Sequence, residues 1–261
     1  MADKRPIGIF DSGVGGLTVL DQIKNKLPNE NIIYLGDTKN FPYGDKNKEE
    51  IIKFSENNAK FLIEKDVKMI IIACGTATSQ ALDILKNKFD IPIIGIIEPT
   101  IDYVKGKHIK KIGVMATEGT IKSNAWEENL KSKIEDIVVI NKACPMMATI
   151  AEEGRALSKE GRDVIRQYID PFKKEKIHKI ILGCTHYPIY ERIIREEMPY
   201  EVELINTGFT IANYVDMFLE NNNMKNILKK DKEIVYLTKN ELNFKNIAKN
   251  ILKYDIKIKE I

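Results

Sequence analysis

The sequence predicts an α/β fold of two pseudo-symmetric domains, each a mostly parallel sheet flanked by helices. Three observations carry this. Short apolar runs recur along the chain, several of them apolar throughout, as strands buried on both faces must be. Longer amphipathic stretches separate them, a spacing that suits right-handed βαβ units. The third is an internal echo. Ile70-Ile71-Ile72-Ala73-Cys74-Gly75-Thr76 resembles Ile180-Ile181-Leu182-Gly183-Cys184-Thr185, and Ile7-Gly8-Ile9-Phe10-Asp11-Ser12 resembles Ile112-Gly113-Val114-Met115-Ala116-Thr117. The order, polar tip and then cysteine tip, is the same in both halves.

Taken in order, strands are predicted at Ile7–Phe10, Asn31–Leu35, Met69–Ala73, Ile93–Ile97, Ile112–Ala116, Ile137–Ile140, Ile180–Gly183, Val202–Ile205 and Ile234–Thr238. Helices are predicted at Leu17–Leu27, Glu49–Lys65, Ser79–Lys88, Ile121–Lys133, Lys159–Lys173 and Thr210–Leu219, with a further helix start at Pro145. So many strands without an obvious hairpin suggest two sheets rather than one.

At 261 residues the chain is long enough for one large or two ordinary domains. Its net charge of +3 comes from scattered lysines. The clusters Lys107/Lys110/Lys111 and Lys229/Lys230/Lys232 lack aromatic interleaving and read as solvated surface, so no nucleic-acid partner is expected. No apolar run could span a membrane. Met1 to Arg5 lead straight into a strand, as in a chain without a secretory signal. Three cysteines far apart do not form a disulfide framework, and a reducing cytoplasm is the expected location.

Ligands of parallel α/β sheets bind beyond the carboxyl ends of the strands. The predicted ends carry Asp11 and Ser12, Asp37, Cys74-Gly75-Thr76, Thr117 and Thr120, and Cys184-Thr185-His186. The segment Asp11-Ser12-Gly13-Val14-Gly15-Gly16-Leu17-Thr18 has glycines between a strand and a helix. It nevertheless places Thr18 at the third fingerprint position and lacks the Gly-Lys-Ser/Thr ending of a phosphate loop. A ligand-facing turn is expected there, and no nucleotide.

Cys74 and Cys184 each precede a helix start, where amide N–H groups and the helix dipole favour an anion. Either one alone would pass for a small buried hydrophobe. Two in equivalent places, each followed by hydroxyl residues, point to paired thiol chemistry. His186 stands two residues after Cys184 and can serve it as a partner base. Cys144, before Pro145, reads as structural, and His108 and His178 as exposed and idle. A zinc site from Cys74, Cys144, Cys184 and His186 would have no Cys-x-x-Cys pair to anchor it, so no metal is expected.

These residues fall into a wider pattern. It comprises Ile9 to Thr18, Leu35-Gly36-Asp37-Thr38 with Pro42-Tyr43-Gly44, and Ala116-Thr117-Glu118-Gly119-Thr120-Ile121-Lys122-Ser123. Ala143-Cys144-Pro145 with Glu152, and Gly183-Cys184-Thr185-His186-Tyr187-Pro188, complete it. Over most of its length the chain resembles the glutamate racemases of the aspartate/glutamate racemase family. The resemblance implies an active site between the two domains, taken as 1–97 plus 208–261 and 98–207. It implies that Cys74 and Cys184 face opposite sides of the substrate Cα, one removing a proton as thiolate while the other delivers one. Asp11 and His186 would assist the thiols, with Asp37 and Glu152 nearby. Ser12, Pro42, Tyr43, Gly44, Gly75, Thr76, Thr117, Thr120, Thr185 and His186 would hold the substrate, sharing Asp11. No cofactor is implied, so preorganised donors must stabilise the carbanion. A homodimer supplying D-glutamate for peptidoglycan is the further implication.

The match breaks at one informative place. The family's first cysteine motif normally reads Cys-Asn-Thr-Ala, and here it reads Cys74-Gly75-Thr76-Ala77. Losing an amide hydrogen bond to a charged ligand group costs about 1.5–3 kcal/mol, roughly 10- to 150-fold in affinity, unless something replaces it. A roomier pocket at Gly75 would suit a related racemase for aspartate or another amino acid. A non-catalytic amino-acid-binding relative is the third alternative, opposed by the presence of both thiols. Thr149 and Ile150 replace a common Pro-Leu, and Asn206 stands where aspartate is frequent.

Overall fold

A computed structural model describes residues 3–107, 109–228, 233–239 and 243–261. His108 and the cluster Lys229, Lys230 and Lys232 lie outside the described residues. The first half of the chain runs β1 (Ile7–Asp11), α1 (Leu17–Lys26), β2 (Ile32–Gly36), α2 (Lys48–Glu64), β3 (Met69–Ile72), α3 (Gly75–Lys88), β4 (Ile93–Gly95) and α4 (Ile97–Lys105). The second runs β5 (Lys111–Ala116), α5 (Glu118–Lys122), α6 (Ala125–Lys133), β6 (Val138–Ala143), α7 (Pro145–Glu152), α8 (Lys159–Lys174), β7 (Lys179–Leu182), α9 (Glu191–Glu197) and β8 (Glu203–Asn206). The chain then returns through α10 (Thr207–Asn221), β9 (Glu233–Leu237), α11 (Phe244–Leu252) and β10 (Ile258–Glu260).

Two sheets result, ordered β10-β9-β2-β1-β3-β4 and β6-β5-β7-β8, with every pairing parallel. The series β2-β1-β3-β4 and β6-β5-β7-β8 are the same motif twice. Their tips repeat even at single hydrogen bonds. Ala73 N–H donates to Phe10 O at 2.9 Å, as Gly183 N–H does to Met115 O at 2.8 Å. Asp37 N–H donates to Asp11 O at 2.8 Å, as Cys144 N–H does to Ala116 O at 2.9 Å. Cys74 and Cys184 are therefore structural equivalents, as are Gly75 and Thr185. Both faces of each sheet are covered by helices, which is why β1 and β2 are buried at every position.

Local chemistry explains where the predicted elements shift. Helix α3 begins at Gly75, directly after Cys74, four residues earlier than its apolar pattern suggested. The stretch Ile121–Lys133 divides into α5 and α6 because Asn124 takes a left-handed φ of 56°, a conformation asparagine tolerates better than most residues. The run Ile93–Ile97 is strand only to Gly95, and α4 starts at Ile97. Elements α4, α9, α11 and β10 add to those predicted. Asn206 caps α10 by accepting the Gly208 N–H at 2.8 Å, a task asparagine and aspartate perform about equally.

At the opposite end of the first sheet from the cysteine tips, Lys68 is fully buried. Its Nζ donates to Glu30 Oε2 at 2.6 Å and to the carbonyls of Asp3 and Met224 at 3.1 and 2.7 Å. The other Glu30 oxygen accepts the Asn226 N–H at 2.8 Å. Removing one member strands a buried charge. Lys68→Ala should therefore lower the unfolding free energy by roughly 3–5 kcal/mol in urea titration. A loss below about 1 kcal/mol would show that the pair adds little to stability.

Candidate active site

The carboxyl ends of the two sheets face one another across a small cavity. It is lined by Ser12, Phe41, Pro42, Tyr43, Gly44, Asp45, Cys74, Gly75, Thr76, Thr117, Pro145, Ala148, Cys184, Thr185 and His186. Its volume is about 20 Å³. That is room for little more than a water molecule.

The seam around the cavity is stitched by polar bonds between the halves. Thr185 Oγ1 donates to Asp11 Oδ2 at 3.1 Å, and Thr18 Oγ1 donates to Thr185 O at 2.9 Å. Val14 N–H donates to Glu152 Oε1 at 2.5 Å, and the same oxygen lies 2.8 Å from His186 Nε2. The hydroxyls of Thr76, Thr117 and Thr120 form a triangle with sides of 2.8, 2.8 and 3.2 Å. Gly13 and Gly15 serve this seam directly. A Cβ on Gly13 would overlap the Glu152 carboxylate, and one on Gly15 would press on the His186 ring. The glycine loop thus receives side chains from the other half.

The two thiols sit in different electrostatic surroundings. Cys74 is the N-cap of α3, with Ser12 Oγ 3.9 Å from its sulfur. Burial pushes its thiol pKa up, and the neighbouring Asp11 carboxylate adds to that, outweighing the Ala77 N–H. Cys184 Sγ lies 3.6 Å from His186 Nδ1. Burial alone would depress the His186 pKa. Its hydrogen bonds and charge interactions with Cys184 and Glu152 outweigh that and hold it well above the usual imidazole value. Asp11 is completely buried, and desolvation raises its carboxyl to about 6 despite the opposing charge of His186 and bonds from Gly13 N–H and Thr185.

Most residues named from the sequence line the cavity, but Asp11, Asp37, Thr120 and Glu152 stand behind its wall. Asp37 accepts the Tyr43 hydroxyl at 2.5 Å, the Asn40 amide at 3.0 Å and the Thr238 hydroxyl at 2.9 Å. The Tyr43 hydroxyl also accepts from Asn58 at 3.0 Å, so it is spent within the first half. Thr120 reaches the cavity only through the hydroxyl triangle. Cys144 is buried, with its carbonyl taken by the Tyr187 hydroxyl at 2.8 Å. His178 is exposed and stacks on Tyr200. Thr149 is exposed, while Ile150 packs in the core of the second half. Residues not singled out from sequence include Asn58, Phe41 and Ala148. Phe41 adjoins the Pro42-Tyr43-Gly44 motif and sets its ring 5.8 Å from that of His186, whereas Ala148 carried no signal. Among the described residues, no three His, Cys, Asp or Glu side chains form a group that could hold a metal ion. No helix among them is long and apolar enough to cross a membrane.

Two cysteine tips thus face each other across one cavity. Residues 8–214 match the Asp/Glu/Hydantoin racemase family. The chain belongs to this family. A glutamate racemase of Listeria monocytogenes is 39% identical over 251 residues, covering 95% of this chain and 94% of the relative. The crystal structure of a glutamate racemase isoform from Bacillus anthracis superposes with a TM-score of 0.94 at 34% identity, covering 98% and 97% of the two chains. That of the Francisella tularensis glutamate racemase, in complex with D-glutamate, gives 0.93 at 35% identity over 99% and 98%.

The raised carboxyl of Asp11 has a consequence for stability. The folded state holds its proton more tightly than the unfolded chain, so this contribution is complete below about pH 4. It is lost as pH rises through about 6. Relative to wild type, Asp11→Asn should gain stability between those limits, reaching about 3 kcal/mol near pH 7. Urea unfolding at several pH values checks this. A difference that stays flat across the range would contradict the buried, raised carboxyl.

Proposed function

We propose that this protein is a cofactor-independent glutamate racemase that interconverts L- and D-glutamate. The observation that carries the proposal is the pair of equivalent cysteines, Cys74 and Cys184, entering one cavity from opposite halves. One thiolate takes the Cα proton and leaves a carbanion; the opposite thiol gives its proton to the other face. The product is the enantiomer, and the thiol and thiolate have exchanged places. A single base tends to return the proton to the face it came from, so inversion calls for two.

His186, its pKa held up, stands 3.6 Å from Cys184 as the positive partner on that side, while burial favours the protonated thiol at Cys74. Glu152 positions His186 and supports its charge. Asp11 lies between the halves, where it receives Thr185 and faces the substrate ammonium. Asp37 is a positioning residue that acts through Tyr43. Ser12, Pro42, Tyr43, Gly44, Gly75, Thr76, Thr117, Thr185 and His186 form the substrate shell, with Thr120 orienting Thr76 and Thr117. Carbanion charge is met by amides at the start of α3 and by the threonine hydroxyls, fixed before the reaction begins. The domain division is 1–97 plus 208–261 and 98–207. The enzyme works as a cytoplasmic homodimer and supplies D-glutamate for peptidoglycan, and so for cell shape.

Proton NMR with L-glutamate and separately D-glutamate in D₂O, followed by chiral analysis, is the test. Loss of the Cα proton signal together with the opposite enantiomer is expected from both directions. Cys74→Ala and Cys184→Ala should each lower inversion about 10²- to 10⁴-fold. Reduced, folded protein that exchanges neither enantiomer would refute the glutamate assignment.

A further inference from the structure

Tyr34 lies in the middle of β2, the strand beside the one that ends in Asp11, and its ring is completely buried in the core of the first half. In the sheet it stands between Ile9 and Val235, and Val14 and Leu17 belong to the same core. A tyrosine so enclosed needs a partner for its hydroxyl. It donates to the carbonyl of Gly13 at 2.5 Å. Room for the hydroxyl comes from Gly16, where a Cβ would lie 2.5 Å from it.

Gly13 C=O and Val14 N–H belong to one peptide unit, which is trans, so the two groups point in opposite directions. Tyr34 therefore holds that unit from the core side, and its other end donates to Glu152 Oε1 across the seam at 2.5 Å. The same oxygen lies 2.8 Å from His186 Nε2, and His186 Nδ1 lies 3.6 Å from Cys184 Sγ. One line of hydrogen bonds thus runs from Tyr34 to Cys184, and a single peptide unit carries it between the halves. Bonds in such a line polarise one another, and those made to a carboxylate are the stronger kind. The line is complete with no amino acid in the cavity, so it belongs to the free enzyme.

We infer that Tyr34 is a positioning residue for the Cys184 side of the reaction: its hydroxyl aims Val14 N–H at Glu152, and Glu152 in turn holds His186 beside Cys184. This role rests on the two-thiol chemistry proposed above, in which His186 is the partner of Cys184. Without the hydroxyl, the Gly13 carbonyl loses its donor inside an apolar core, and the peptide turns to recover one. Val14 N–H then leaves Glu152. The Cys74 side is served by groups that precede this peptide. Ser12 adjoins the Cys74 sulfur, and Gly13 N–H stays on Asp11 Oδ1 at 3.0 Å. The titratable groups that face His186 are Cys184 on its own loop, Glu152 on α7 and Asp11 at the end of β1. Tyr34 bonds to none of them, so its influence on the imidazole passes through the peptide.

The test is Tyr34→Phe, which keeps the ring and removes only the oxygen, with circular dichroism and unfolding midpoints as controls of the fold. NMR follows the imidazoles of the unliganded protein through a pH titration. The His186 midpoint, held up in the wild type by Cys184 and Glu152, should fall toward the ordinary imidazole range, while that of the exposed His178 stays in place. The kcat/KM for inversion, which reports the free enzyme, should fall about 10-fold. The fall must be equal in both directions, because the two enantiomers have the same energy. In a Cys74→Ser background, where Cα–H exchange depends on Cys184, Tyr34→Phe should lower exchange by a similar factor. In a Cys184→Ser background it should change exchange by less than about 3-fold. A His186 midpoint that does not move, inversion at the wild-type rate, or an equal loss in both single-thiol backgrounds would overturn the inference. Wild type that leaves both glutamate enantiomers untouched would refute the racemase assignment instead, and the His186 titration would still decide whether Tyr34 acts on that ring.

Discussion

The site depends on one constraint: two parallel sheets must face each other with their carboxyl ends and be held there. A parallel sheet ends in a row of loops and helix starts, which supply amide donors but little shape. Opposing two such rows creates an enclosed space with donors on both sides. Glu152 is the main tie, since its carboxylate bridges the glycine loop of the first half and the imidazole of the second. Thr185 on Asp11 and Thr18 on the Thr185 carbonyl add two further ties. The glycines at 13, 15 and 75 let those ties close without steric cost.

Symmetry brings two cysteines to equivalent positions, and the differences between the halves set their charge. Position 76 is a threonine where the second half has His186. Position 11 is an aspartate where the second half has Ala116. A carboxyl therefore stands beside Cys74 and an imidazole beside Cys184. Buried carboxylates and imidazoles are costly to keep ionised without partners, which is why the crossing hydrogen bonds and the charge distribution are the same set of residues.

Much of this was legible in the sequence. The all-apolar runs revealed buried parallel strands, and the repeated strand-cysteine tips revealed the internal duplication before any coordinates. The Cys74, Thr117, Cys184 and His186 tips do gather at one cavity, with Asp11 buried behind it. What was not legible is the direction of side chains behind the wall. Nothing in the chain order says that Asp37 turns to Tyr43, Asn40 and Thr238, because Thr238 follows β9, 201 residues away. The break at Asn124 was hidden because the amphipathic pattern continues through it, and only the left-handed φ interrupts the helix. Gly75 shows the limit most clearly. From sequence alone its missing side chain meant extra room, whereas the fold fills that room with the Gly183 carbonyl.

The central claim is that thiols from opposite halves serve opposite faces of one carbon. Single-thiol variants Cys74→Ser and Cys184→Ser, given each glutamate enantiomer in turn, test it most directly through Cα–H exchange with solvent deuterium. The account predicts that each variant loses inversion but still exchanges one enantiomer, and that the enantiomer differs between the two variants. Continued inversion at the wild-type rate in either variant, or the same enantiomer exchanged by both, would contradict it.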